Sequence, residues 1–371
     1  MKYAFVKYRI GLTAIAIVIL ITLASTVEFI TPVIETGPYP LSYPDNFGNR
    51  IFIPVDNPLT KEGVYLGRML FYETKLSANN KISCATCHQQ KLAFTDGKAF
   101  SEGIDGKLTA RSSMSLANLL WVKNLFWDGR AKSLEEQATV PVTNPHEMNQ
   151  PFENAVKKLS ATNTYPPLFR LVFGNDSITG DRIVKAISQF ERTLISANSK
   201  YDQYLNGTYQ PTAAELNGLN LFMRVPQPEK NIRGANCGRC HGTAKIFIEL
   251  FHNNGLDSFP KDPGRAGITK MDMDKGRFRV PTLRNIALTA PYMHDGRFKS
   301  LQEVVDHYNE HLMQVLTLSP LLQDVSNNKN GKKLELTGKE KNDLISFLYM
   351  LTDSSFITDK RFADPKKINN Q

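Results

Sequence analysis

Apolar residues recur along this chain with the spacing of helices. Ile183, Ile187, Phe190 and Leu194 fall on one face of a 3.6-residue turn, as do Leu344, Phe347, Leu348 and Leu351. A third stripe, Leu301, Val304, Val305 and Tyr308, places Tyr308 on a buried face and His307, beside Glu303, on the polar one. Thr337 followed by Glu340 forms a capping box that opens the last long helix. The first long helix of the three is expected to end near Asn198. Alternating strand patterns are scarce. Proline-rich stretches at 38–58 and around 226–228 read as loops and linkers.

The fold class that follows is all-α, with a join near residue 204. Residues 28–204 and 205–358 are expected to form two units, and the polar segment 359–371 a loose tail. Ahead of them, Lys2, Lys7 and Arg9 precede an uncharged run from Ile10 to Val27. Residues 1–27 therefore read equally as a cleaved secretory signal or a retained membrane anchor. Either way the remainder is expected to be exported to the periplasm.

With 41% hydrophobic and 22% charged residues, the chain can build ordinary cores, which excludes a disordered protein. The formal charge of +9 is spread along the sequence rather than clustered, so no nucleic-acid partner is expected.

The four cysteines change the picture. All lie in two frames, Cys84-Ala85-Thr86-Cys87-His88 and Cys237-Gly238-Arg239-Cys240-His241, leaving none for a disulfide. C-x-x-C-H is the attachment signature of c-type haem: both thiols reach the vinyl groups on one haem edge, and the histidine becomes the proximal iron ligand. Zinc would recruit a second cysteine or histidine pair at short spacing, and none lies near either frame. A redox dithiol would not need the histidine twice. Two covalently bound haems c are expected, with His88 and His241 on the irons.

The frames belong to a duplicated unit. The stretch from Trp127 to Glu136 matches that from His294 to Glu303 at seven of ten positions, at a constant offset of 167. Phe71 and Phe222 each close an apolar segment shortly before the first cysteine of a frame.

Further blocks surround the frames: Leu66-Gly67-Arg68, Phe126-Trp127-Asp128-Gly129-Arg130, Asn144-Pro145-His146-Glu147-Met148, Phe190-Glu191-Arg192-Thr193-Leu194, Val280-Pro281-Thr282-Leu283-Arg284-Asn285 and Ala290-Pro291-Tyr292-Met293-His294-Asp295-Gly296. In this order they resemble the bacterial diheme cytochrome c peroxidases and their relative MauG, from about Asn57 to Asp353. The resemblance implies two cytochrome c-like domains, each binding one covalent haem, with hydrogen peroxide reacting at the first. Electrons would enter at the second from a small cytochrome or cupredoxin. It implies that Trp127 relays electrons between the haems, and that Gln137 and Glu147 line the peroxide pocket. It also implies that Thr289 and Pro291 offer carbonyls to a calcium ion, with Ser112 where the family has an asparagine ligand.

Two departures within the family are informative. The histidine that caps the first iron in many relatives would stand sixteen residues beyond His88, where this chain has Ile104; no histidine lies between His88 and His146. Met114 reads as core packing. An open first haem is therefore expected. For the second iron the candidate sixth ligands are Met293, His294, His307 and Tyr308. Tyr308 lies fourteen residues after His294, where the resemblance implies the distal ligand. Reduction of peroxide to water is the leading expectation. MauG-like oxidation of a protein substrate and a non-catalytic electron relay are the alternatives.

Overall fold

The computed structural model describes residues 34–368. The uncharged segment 10–27, read as signal or anchor, lies outside them. Among the described residues no helix is long and apolar enough to cross a membrane.

The fold is helix-rich with little sheet. Six helices frame the site: α1 (Lys61–Phe71), α2 (Leu134–Thr143), α3 (Gly180–Arg192), α4 (Ala213–Met223), α5 (Leu301–Glu310) and α6 (Gly338–Met350). Each begins at a serine or threonine whose hydroxyl accepts a backbone N–H of the first turn: Thr60, Ser133, Thr179, Thr212, Ser300 and Thr337. Glu340 completes the box at α6, and Glu303 completes one at α5. The sheet is one antiparallel ladder, β1 (Phe251–His252) against β2 (Phe278–Arg279).

The duplication is visible in the backbone. Helices α2 and α5 stand at the sequence offset of 167, and so do the bridges Leu125–Ala131 and Tyr292–Phe298. At that offset Phe126 and Met293 both take the left-handed conformation, with φ of 63° and 75°, as do Asn118 and Asn285. The helix crossings repeat too. Gly67 of α1 lies against the Ala186 carbonyl of α3 and beside Phe190; Gly218 of α4 lies against the Asp343 carbonyl of α6 and beside Phe347. A methyl group at either glycine would run into the partner backbone, so the close approach requires glycine.

Apolar clusters result, one packed against Cys84 and another against Cys237. Phe71, Phe94, Leu120, Trp121, Phe190 and Leu194 centre the first; Tyr201, Phe222, Leu301, Val305, Phe347 and Leu351 centre the second. From Thr36 onward the chain nonetheless forms one compact unit, because elements cross between the clusters. Ile246 packs in the second and Phe247 in the first. Arg284 makes a buried two-point ion pair with Asp202, both bonds 2.6 Å.

Two local expectations need correction. Helix α3 ends at Arg192 rather than near Asn198, because Asp353 accepts the Ala197 and Asn198 N–H groups and the Ser196 hydroxyl, holding that segment in another path. The expected join at 204 lies in a short helix, Lys200–Leu205, whose Tyr201 packs in the second cluster. The described part of the tail is not loose: Phe362 is 3% exposed and packs on Phe356, and the Tyr72 hydroxyl donates to its carbonyl at 2.7 Å.

Candidate haem sites

The first frame forms a single helical turn, Cys84–Cys87, opened by Ser83, whose N–H donates to the Thr86 hydroxyl at 3.0 Å. Ala93 and Phe94 then adopt left-handed backbone and swing the Phe94 carbonyl onto His88 Nδ1, at 2.8 Å. A carbonyl only accepts, so Nδ1 carries the proton and Nε2 presents a lone pair, the form in which histidine binds a metal. Burial lowers the pKa of His88, which keeps the ring neutral.

Glu147 is brought to the same place. Its carbonyl accepts the Ile104 N–H at 2.7 Å, and Gly103 lies so close to the His146 carbonyl that a side chain there would collide. The carboxyl is half-buried. Burial raises its pKa, against the opposing pull of the Asn144 amide, which donates to Oε1 at 2.7 Å, and of the Arg130 charge. Burial raises the pKa of the Cys87 thiol, and the charges of Asp96 and Glu147 add to the rise. Ile104, in place of the capping histidine, is buried beside Glu147. Gln137 sits half-buried on α2, and its amide makes no hydrogen bond among the described residues.

The second frame opens onto a cavity of about 580 Å³. Cys237, Cys240 and His241 line it, together with Tyr308, Met293 and Asn254. The volume lies in the range of about 300–1,000 Å³ usual for small-molecule and cofactor sites. Burial pushes the pKa of His241 down to about 4, so this ring too is neutral. The wall also holds Arg279, which is 5% exposed and makes no ion pair among the described residues. Its only side-chain hydrogen bonds among the described residues are long, to the Phe126 carbonyl at 3.4 Å and the Met114 sulfur at 3.5 Å, and burial lowers its pKa to about 10. A buried, uncompensated guanidinium calls for an anion. A haem supplies one in its propionates, so the thiols, the neutral histidine and the orphaned cation together fit that group.

Of the four candidate sixth ligands, two face the right partner. Tyr308 Oη and Met293 Sδ both receive the Asn254 amide, at 3.2 and 3.4 Å. Burial pushes the pKa of Tyr308 up to about 12, opposed by that hydrogen bond. His294 stacks flat on Phe278, with ring centroids 3.8 Å apart. His307 is not on a polar face: it is 4% exposed, and its Nε2 is bonded to the Asn254 carbonyl at 2.9 Å. The loop that buries it lies far away in sequence. Met114 likewise borders the cavity rather than packing in a core.

Trp127 lines the cavity of the second frame. Its Nε1 donates to the Ser112 carbonyl at 2.9 Å, and its carbonyl accepts the Arg279 N–H at 2.7 Å. The next residue, Ser113, bonds the Cys87 carbonyl at 2.8 Å and lies 3.2 Å from His88 Nδ1. Ser112, Thr289 and Pro291 line the cavity together. The Ser112 hydroxyl, however, donates to the Met293 carbonyl at 2.9 Å, and its N–H donates to His294 at 2.8 Å. The segments an ion would bridge are thus tied directly. Calcium takes roughly six to eight oxygens, water included; these three residues offer three neutral ones and no carboxylate.

A family model described as di-haem cytochrome c peroxidase matches residues 61–210. The methylamine utilization protein MauG of Methylophilus methylotrophus is 36% identical over 301 residues, covering 80% of this chain and 84% of that protein. The chain belongs to the di-haem cytochrome c peroxidase/MauG family. The cytochrome c551 peroxidase of Nitrosomonas europaea is 38% identical over 253 residues, 65% of this chain and 71% of its own. Among solved structures, a MauG-like protein associated with microbial copper homeostasis superposes with a TM-score of 0.80 at 34% identity, covering 88% of this chain and 99% of that one. This family member is an oxidoreductase of the peroxidase type, and membership implies two c-type haems.

Sequence reasoning missed three residues of these sites. Arg279 directly precedes the Val280-Pro281 block, and only its burial reveals it. Glu191 stands between Phe190 and Arg192 and has no sequence signal of its own; it is buried, with Oε2 unpartnered, and its charge bears on Cys84. Asn254 carries no sequence signal beyond its position before Gly255.

Proposed function

We propose that this protein reduces hydrogen peroxide to water at the first of two covalently held haems, taking electrons at the second from a small exported cytochrome or cupredoxin. The reaction consumes one peroxide, two electrons and two protons and yields two waters. Each haem, when bound, supplies an iron centre that exchanges electrons, the first with an open position for peroxide. We assign residues 28–204 to the first haem domain and 205–358 to the second, and place the protein outside the cytoplasm, where the run at 10–27 would direct it.

The observation that carries this reading is Glu147. Its carboxyl holds a proton to higher pH than an ordinary glutamate and is fixed by Asn144, and its backbone carbonyl accepts the N–H of the apolar Ile104. Such a group can take a proton from the inner peroxide oxygen and return it to the outer one, so that water leaves. Gln137 orients peroxide or water. Ile104 offers no ligand atom, so the first haem needs no reductive activation to open. Trp127, bonded to Ser112 and Arg279, lies on the route between the sites and relays electrons.

A second reading, oxidation of a partner protein, is favoured by one observation: Tyr308 on the cavity wall opposite the second frame. As a ligand, an anionic phenolate stabilises ferric iron more than methionine sulfur does, which suits storage of oxidising equivalents.

The direct test is Glu147→Gln. The variant should retain both haems and lose peroxide turnover by about a hundredfold or more. Near wild-type turnover would remove Glu147 from the chemistry.

A further inference from the structure

We propose that the side-chain amide of Asn254 positions and tunes the distal ligand of the second haem, donating a hydrogen bond to the Tyr308 oxygen. The inference rests on the reading that Tyr308 ligates that iron, and it names the group that controls the ligand.

The loop carrying Asn254 is held on both sides. Asn253 is buried; its Oδ1 accepts the Gly255 N–H at 2.8 Å, and its amide donates to the Thr317 hydroxyl at 2.8 Å. Its carbonyl accepts the Ser319 N–H at 2.9 Å. Consecutive residues of α5 then take the two ends of Asn254. His307 Nε2 bonds its carbonyl at 2.9 Å, and Tyr308 Oη meets its Nδ2 at 3.2 Å. The imidazole therefore fixes the backbone of the residue whose side chain addresses the phenol. This also gives a reason for a buried histidine next to the ligand.

The same amide nitrogen lies 3.4 Å from Met293 Sδ. A thioether is a weak acceptor, whereas an anionic oxygen makes a strong, charge-assisted bond. The amide thus favours Tyr308 as the anion, with one N–H left for the sulfur. A hydrogen bond to a ligating phenolate withdraws electron density from it and weakens its donation. The second haem then sits at a higher potential than a bare phenolate would give.

The test is Asn254→Leu in the haem-loaded protein, which keeps the shape and removes the donor. The reduction potential of the second haem should shift downward, and the tyrosinate-to-iron charge-transfer band should move to longer wavelength. In the wild-type protein, the tyrosinate C–O band in resonance Raman should shift on transfer to D₂O, and this shift should vanish in Asn254→Leu. An unchanged potential and band in the variant would overturn the role. If the variant fails to take up haem, absence of the D₂O shift in wild type would overturn it instead. Tyr308→Phe separates the two readings. A changed low-spin spectrum there with a silent Asn254→Leu removes Asn254 alone; a silent Tyr308→Phe removes both.

Discussion

Glu191 shows what a buried carboxyl contributes when nothing pairs its second oxygen. Burial pushes its pKa up to about 8, with Arg192 opposing and Glu135 adding to the rise. The Arg192 guanidinium is committed to Glu135 through two bonds, at 2.8 and 2.9 Å, and offers Glu191 little. The folded protein therefore holds this proton more tightly than the unfolded chain. Its stabilising effect is complete below the ordinary carboxyl pKa and is lost as pH rises through about 8. Unfolding of the haem-loaded protein by denaturant should show stability falling between about pH 5 and 8, and Glu191→Gln should flatten that slope. A slope unaffected by the substitution would mean the carboxyl is solvated or paired. At this scale the sequence was legible where a residue type announces its chemistry, as the cysteines and His88 do. It was silent on Asn254 and Arg279, whose significance comes from neighbours brought together across the fold.

Among the helices, local signals read well and long-range ones did not. The capping box at Thr337 and the buried apolar stripes from Ile183 to Leu194 and from Leu344 to Leu351 follow from residues within two or three turns; on α5, by contrast, Val304 and Tyr308 are only half-buried. The end of α3 depends on Asp353, and the burial of His307 depends on the 252–255 loop; neither is written in the local sequence. Gly67 stands in one of the sequence blocks and Gly218 in none, yet the two glycines set how closely α1 meets α3 and α4 meets α6. Gly67→Ala forces a methyl group against backbone rather than against a side chain that can move aside. It should cost about 1–3 kcal/mol or more, the usual range for overpacking, and lower the melting temperature of the haem-loaded protein. Gly218→Ala should do the same in the second unit. Wild-type melting in either variant would show that the helices separate without penalty.

Over the whole molecule, the duplication places two haem frames in one compact body, with the Ser112–Ser113 segment and Trp127 running from His88 to the wall of the second cavity. Because thioether bonds survive extraction by acid acetone, denatured protein should keep two haems per chain; retention of one or none would contradict the assignment of both frames. The central claim is that peroxide meets an open first haem flanked by Glu147, with no ligand to be displaced beforehand. The measurement that tests it most directly is peroxide consumption started from the fully oxidised, haem-loaded protein, with a reduced small cytochrome or cupredoxin as the sole electron source and no prior reduction. Turnover should begin at its full rate without a lag. A strict requirement for pre-reduction, or no consumption of peroxide with any such donor, would contradict it.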